Sequence, residues 1–548
     1  MNKKIIRLMS ALLALFLTLG NFTPGQAREQ IASFMPERLV NLAHFYKPPS
    51  NSDAPALASK FGFVLLTGGD EVFRDKVIAN GFSSTIPQYF TFLGIQDPGS
   101  CTASPRNNQV AYKAGDFCDI SQNHPDWFLL DTNGQRIRSK GDVYRMDPGN
   151  AEWRNFFLTR VLEWQNRTGW SGLFLDSLEA SLAELERNGT IPAKYPDDSS
   201  YRAAITGFLQ FLRANYSQPY GRPILANITI GLDDAAWSSY MQYLDGAMQE
   251  RWATEWEMNK YINEPKWEAD LARAEKFQGQ GKYLILVSPG NRADANRQNF
   301  AFASYLLISN GKAAFRYSNS DVYSEVWMYN NYQIDLGTPL GPRYKSGNLW
   351  KRDFTKGVVI VDPVNHTATI EASWAWSYVK RLYNAQITSG CGGGKFCPEE
   401  TVTRAQMAIF LERSMRGSSY TPPAVGSSTG FGDVPVTHWA GAWIKQLAAD
   451  RITSGCGSGN YCPDAPVTRA QMAVFLLRAK YGSDYTPPAT GSNTSFSDVA
   501  PSHWGAAWIK QLAAEGITGG CGIGTYCPES VVTRAQMAVF LVKTFNLP

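Results

Sequence analysis

The sequence predicts an α/β fold, a (β/α)8 barrel, followed by an all-α domain built from three copies of one unit. Three observations carry this reading. Eight short apolar runs alternate with helical patterns between about residues 36 and 318. The C-terminal third repeats itself at a period of 65 residues. The competing fold for the first part, an open doubly wound sheet, would call for a Gly-rich phosphate fingerprint, and none is present.

Met1 to Ala27 has a basic start (Lys3, Lys4, Arg7), an apolar run from Leu8 to Leu19 and a small-residue site at Gly25-Gln26-Ala27. That pattern predicts a secretory signal over 1–27, with an uncleaved anchor as the alternative. The run is shorter than the ~20 residues a membrane helix needs, and no later stretch is long and apolar enough to span. The expected mature chain is therefore exported, without a transmembrane segment. Lys3, Lys4 and Arg7 also account for most of the +4 formal charge. Without them 49 basic side chains face 48 acidic ones, a balance that argues against nucleic acid. An aromatic content of 13% suits sugar binding as well as large cores.

The eight runs are LVNLAHFY (39–46), FGFVLLTGG (61–69), QYFTFLG (88–94), GLFLDS (172–177), PILANIT (223–229), GAMQER (246–251), KYLILVSPG (282–290) and AAFRYS (313–318). Between them, Trp153, Phe156, Phe157, Val161 and Trp164 fall at helical spacing within 151–166, and 201–216 and 296–310 behave similarly. A barrel carries its chemistry at the carboxyl ends of its strands. Asp176 ends the fourth run, before a helix-like stretch, and Glu250 ends the sixth. Two such carboxylates at one mouth suit glycoside hydrolysis, in which one attacks or stabilises the anomeric carbon and the other gives and takes a proton. A helix cap for Asp176 and an ion pair with Arg251 for Glu250 are the structural alternatives. His44, Tyr46, Asp147, Asn227 and Arg316, at other strand ends, and Trp252, beside Glu250, are candidate substrate contacts.

Eight cysteines in an expectedly exported chain favour disulfides. Six form C-x5-C pairs in Gly-rich loops with no His at ligand spacing, so zinc is the weaker reading. The expected bridges are Cys101–Cys118, Cys391–Cys397, Cys456–Cys462 and Cys521–Cys527. No metal or nucleotide motif is visible, so neither metal nor cofactor is expected.

Each repeat reads helix, Gly-rich loop, helix. Trp439, Trp443 and Leu447 share one helical face, and Met472, Phe475 and Leu476 share another. Thr403/Gln406, Thr468/Gln471 and Thr533/Gln536 fit capping boxes. An Arg follows each cap: Arg404, Arg469 and Arg534. A cation there opposes the helix dipole. Three in register suggest that the Arg and the unpaired N–H groups of the helix hold an anion together. Inheritance by repeat duplication, with each Arg paired to a nearby acid, is the bland alternative.

These units resemble S-layer homology repeats, through Phe431-x-Asp433, His438-Trp439, the turn with Pro463 and Thr468-Arg469-Ala470-Gln471, and again through Phe496, Asp498, His503-Trp504 and Thr533-Arg534. The resemblance covers about 366–548. It implies a pseudo-threefold bundle that binds anionic, often pyruvylated, cell-wall polysaccharide, with Arg404, Arg469, Arg534, Asp433, Asp498, Trp439 and Trp504 as the matching positions. Gln stands here where the family commonly has Glu. The first unit lacks the Phe-x-Asp opening and has Ser373-Trp374 in place of His-Trp.

The first part is similar to a glycosyl hydrolase-like barrel family allied to the α-galactosidase superfamily. HPDWFLLDTNGQRI, YRMDPGNAEWRNFF, SGLFLDS and YNNYQIDLGTPLGP…LWKRDFTKGVVIVDP carry the likeness, over about 36–365. It implies that Asp176 is the nucleophile, that Glu250 is the acid/base, and that 336–365 forms a small β-rich tail. The expected organisation is a leader at 1–27, a barrel with its tail at 36–365, and repeats at 366–424, 425–491 and 492–548. The expected protein is a secreted, cell-surface glycoside hydrolase with a polysaccharide substrate, tethered to an anionic wall polymer. A non-catalytic glycan-binding or structural surface protein is the competing reading.

Overall fold

The computed structural model describes residues 35–548, apart from 37, 140, 184, 186–189, 230–233 and 259; the expected leader at 1–27 lies outside the described residues. The chain divides into two compact units. The first runs through Ile334 and takes in 341–352 and 359–370; the second comprises 335–340, 353–358 and 371–548.

The strands of the first unit up to residue 318 are β1 (Ala43–Tyr46), β2 (Phe63–Thr67), β3 (Gln88–Thr91), β4 (Gly94–Gln96), β5 (Val143–Arg145), β6 (Leu173–Glu179), β7 (Ile224–Thr229), β8 (Gly246–Gln249), β9 (Tyr283–Pro289) and β10 (Ala313–Ser318). All but β4 and β5 form one eight-stranded parallel sheet whose order is the chain order. A parallel bridge between Leu42 and Phe315 brings its edges together into a nearly closed barrel. Each of the eight apolar runs supplies one barrel strand. Side chains alternate across a strand, so one set faces inward: Ala43 and Phe45, Phe63 and Leu65, Tyr89, Phe174, Leu225, Met248, Tyr283, Ile285 and Val287, and Ala314 form one buried cluster. The expected helices are Ala151–Thr168, Asp198–Leu212 and Ala295–Ile308. Asn150 caps the first, accepting from Trp153 N, and left-handed Gly169 ends it.

One expectation is corrected here. Asp176 does not end its strand, nor does it cap a helix. β6 continues to Glu179 through a register shift between Leu175 and Leu178, with Ser177 at φ +60°. A bulge of this kind re-aims side chains.

The long connection between β3 and β6 carries the antiparallel ribbon β4–β5 and the Cys101–Cys118 bridge. In the loop-entropy picture that crosslink is worth about 3 kcal/mol. Replacing both cysteines with Ser should lower the barrel's urea midpoint accordingly; an unchanged midpoint would show that the loop is ordered without it. β11 (Tyr344–Ser346), β12 (Leu349–Phe354), β13 (Gly357–Asp362) and β14 (Thr367–Ala372) form a four-stranded sheet, whose last strand lies past 365, the expected end of the β-rich tail, and within the expected first repeat. Within the first unit, Arg352 donates to Leu306 O at 3.1 Å and Ser309 O at 2.7 Å, and Arg343 pairs with Glu275 at 3.1 Å.

The second unit holds helices Trp376–Asn384, Arg404–Arg416, Gly441–Ala449, Arg469–Tyr481, Ala506–Ala514 and Arg534–Phe545. All three capping boxes form. All three C-x5-C bridges form as well. The repeats contact one another cyclically. Arg404 N donates to Ala465 O, Arg469 N to Ser530 O and Arg534 N to Glu400 O, so the third repeat returns to the first. Leu447, Met472 and Leu476 are buried in the shared core. Trp439 is not on that helical face: it precedes the helix that begins at Gly441 and is 63% exposed.

Candidate active site

Alternation along the strands builds the site. Phe174, Leu225 and Met248 face the barrel interior, so the residues two further on face it one layer nearer the carboxyl end. Those residues are Asp176, Asn227 and Glu250. With Tyr46, Tyr89, Phe45 and Tyr323 they line a cleft of about 430 Å³, part of it open to solvent. Its floor is apolar, and its polar groups converge at one end of the barrel, as ligand sites commonly do.

Asp176 is held from two sides. Asn227 Nδ2 donates to Oδ1 at 3.0 Å, and the Tyr89 hydroxyl donates to Oδ2. Burial and the charge of Asp176 push the Tyr89 phenol well above its usual range, which keeps it a donor. Glu250 accepts from the Tyr323 hydroxyl at 3.3 Å. Its pKa is raised to about 7, first by burial and then by the Asp176 charge, against lowering by hydrogen bonds from Asn227 and Tyr323. Two carboxyl groups in one cleft thus differ in environment, the pattern that separates a proton donor from its partner. The backbone is strained around them. Tyr46, Ser177 and Ala253 all have positive φ, at 87°, 60° and 61°. Such non-Gly conformations cost about 1–3 kcal/mol each and gather at functional sites.

The other candidate contacts are distributed more widely. Tyr46 and Asn227 lie in the cleft. His44 and Arg316 line a neighbouring small cavity. The His44 ring donates from Nε2 to Lys47 O at 2.8 Å, and burial, then the Arg316 charge, hold its pKa down at about 3. Asp147 is occupied by Lys194 at 2.6 Å, by the Tyr195 hydroxyl and by Gly149 N at 2.8 Å. Trp252 is fully buried, its indole donating to Ala301 O at 3.3 Å. The sequence reading missed Tyr89 and Tyr323. Tyr89 shares the inward parity of Phe174, its partner across β3 and β6, and that parity was a usable signal. Tyr323 sits beyond β10, where no periodicity points to it.

In the repeats, Arg404, Arg469 and Arg534 are buried, and their Nε atoms donate at 2.7 Å to Tyr461 O, Tyr526 O and Phe396 O of the adjoining repeat. The helix N–H groups expected to be unpaired are taken. In the Arg404 helix the first two donate to Ala465 O and Pro463 O, and the third donates to the Thr403 hydroxyl. The other two helices follow the same pattern. Anion capture by free helix N–H groups is therefore corrected. Asp433 accepts from Tyr461 N at 2.7 Å and Cys462 N at 2.6 Å; Asp498 accepts from Tyr526 N and Cys527 N, both at 2.7 Å. Both carboxylates brace the disulfide-closed loops. Trp439 and Trp504 are 63% and 60% exposed. Asp433–Cys456–Cys462 and its counterparts bring metal-type donors together, but their sulfurs are bonded to each other.

Residues 101–358 match the family model described as hypothetical glycosyl hydrolase family 15, and 367–408, 430–473 and 495–538 match the S-layer homology domain. The chain joins a glycosyl hydrolase-like barrel to three S-layer homology repeats. The cellulosome-anchoring protein of Acetivibrio thermocellus is 27% identical over 163 residues, 30% of this chain and 36% of that protein. The cell surface protein of Thermoanaerobacter kivui is 28% identical over 172 residues, 31% and 20% of the two chains. This chain thus spans well under half the length of either relative. The solved glycoside hydrolase domain of PelA from Pseudomonas aeruginosa aligns with 53% of this chain and 97% of its own, at 14% identity and a TM-score of 0.37.

Glu250 of the glycosyl hydrolase-like barrel carries a stability consequence. Its folded pKa lies above the unfolded value, so the fold favours the protonated form. That contribution is complete below about pH 4.5 and is lost as pH rises through about 7. Glu250→Gln cannot ionise. It should unfold with ~2–3 kcal/mol more free energy than wild type at pH 8, after allowance for solvent in the cleft, and with no difference at pH 4. Denaturant titrations of the two chains at both pH values check this.

Proposed function

We propose that the barrel is a glycoside hydrolase acting on a polysaccharide at the cell surface, where the S-layer homology repeats hold it to an anionic wall polymer. Glu250 protonates the departing glycosidic oxygen. Asp176 attacks the anomeric carbon, oriented by the donors on its two oxygens, Tyr89 and Asn227. Glu250, now ionised, then takes a proton from the water that releases the sugar from Asp176. The observation that carries this reading is the meeting of Asp176 and a Glu250 of pKa about 7 in one open cleft. The names of the matched relatives, which concern anchoring and the cell surface, support the localisation. The test is a panel of wall and storage polysaccharides incubated with the full chain and scored for new reducing ends. Turnover of at least one polymer, abolished by Asp176→Asn, is expected. Binding to a polymer without turnover would move the barrel to the glycan-binding reading.

A further inference from the structure

Arg316 lies on β10, two residues beyond inward-facing Ala314, yet it does not line the cleft. Its guanidinium is buried, with its centre 4.3 Å from the Phe45 ring and 5.7 Å from the Tyr323 ring. Nη2 donates to Tyr323 O and, at 3.3 Å, to Glu325 O. The Tyr323 ring packs on Phe45 at 5.1 Å, and its hydroxyl donates to Glu250. The side chain thus sits behind the tyrosine that donates to the proposed proton donor, and ties down the backbone on both sides of Ser324.

We propose that Arg316 is a positioning residue: it clamps the turn after β10 so that the Tyr323 hydroxyl stays on Glu250 and fixes the orientation of that carboxyl. The role assigned to Glu250 rests on the functional reading above; the clamp itself does not. An arginine suits this task because one terminal nitrogen, Nη2, reaches both carbonyls while the guanidinium plane lies over the Phe45 ring. A lysine ammonium could donate to the carbonyls but has no plane to lay on the ring. The groups facing the pair are Asp176 and Asn227 around Glu250, and His44, Tyr332 and Tyr323 around Arg316. His44 stays neutral there, so Arg316 is the local cation.

The Tyr323 hydrogen bond lowers the Glu250 pKa, and losing the clamp should raise it. Two readouts follow. The first needs no turnover: the difference in unfolding free energy between each chain and its Glu250→Gln counterpart, followed from pH 4 to 9, reports the Glu250 titration by linkage. Tyr323→Phe, Arg316→Gln and Arg316→Lys should each move that titration up by about one pH unit, and the Tyr323→Phe/Arg316→Gln double variant should move it no further. The second is the pH–rate profile, whose alkaline limb should shift by the same amount, with kcat lowered about tenfold and KM little changed. If Arg316→Gln does not fold, Arg316→Lys and Tyr323→Phe still decide. A Tyr323→Phe shift with none in either Arg316 variant would falsify the clamp, as would additive shifts in the double variant. If no chain shows turnover while the linkage shifts appear, the hydrolase reading fails and the clamp stands.

Discussion

Asp176→Asn and Glu250→Gln should each abolish most polysaccharide hydrolysis while leaving the barrel folded, and they should differ in a diagnostic way. Removing a nucleophile costs on the order of 10⁴-fold or more, whatever the leaving group. Removing a general acid costs roughly 10²–10⁴-fold, and only where the leaving group needs its proton. Glu250→Gln should therefore retain much of its kcat/KM on an activated aryl glycoside, where the first step needs no acid, while its kcat stays low for want of the base and recovers with added azide, which needs none; Asp176→Asn should do neither. Wild type should lose rate as pH rises past about 7, because the acid must be protonated. Glu250→Gln should lose that limb of the profile. The product anomer, read by NMR as it forms, should match that of the substrate if Asp176 forms a covalent intermediate. Full activity in either variant would remove that residue from the mechanism. Equal losses on polymer and on activated substrate would deny Glu250 its acid role.

Much of this site was legible because barrels obey simple periodicities. Each apolar run became a barrel strand, and the inward parity of Phe174 and Met248 carried Asp176 and Glu250 to one mouth. The sequence could not show that β6 runs on past Asp176, because a bulge leaves no signal in the alternation of residue types. Strand-end position also failed to separate polar side chains that face the cleft from those with other work. Asp147 follows β5 of the small ribbon and is saturated by Lys194, Tyr195 and Gly149; Arg316 turns onto backbone carbonyls; Trp252 fills the core. Their contacts come from distant parts of the chain, which spacing does not encode. In the repeats, the 65-residue period gave the units, the caps and the disulfides. The partner of each Arg is the neighbouring unit, 57 residues away for Arg404 and Arg469 and 138 for Arg534. A repeat read singly leaves those N–H groups looking vacant.

That contact changes what a wall-binding experiment should find. The full chain is expected to sediment with purified cell wall, less so as salt rises, because the proposed contact is between charges of opposite sign. Arg469→Ala with Arg534→Ala tests whether these buried side chains reach the wall at all: direct charge-assisted contacts of about 1.5–3 kcal/mol each would show as at least a tenfold loss of binding. These side chains also stitch one repeat to the next. Each lost Nε donor leaves a carbonyl of the adjoining loop without its partner, and each lost guanidinium vacates the face of Tyr526 or Phe396, at 4.7 and 4.9 Å. The double variant should therefore also lower the melting temperature of the repeat unit. Trp439→Ala and Trp504→Ala separate the two effects. Both indoles are largely exposed, so their loss should spare the melting temperature and weaken binding only if they pack against the sugar. Arg404→Ala should cost less binding than the other two arginines, since its repeat lacks the Phe-x-Asp opening, yet a similar amount of stability, since it makes the same bond to Tyr461 O. Stability lost without binding lost, across all three arginines, would make them purely the stitching of the ring and would leave the wall to be held by another face.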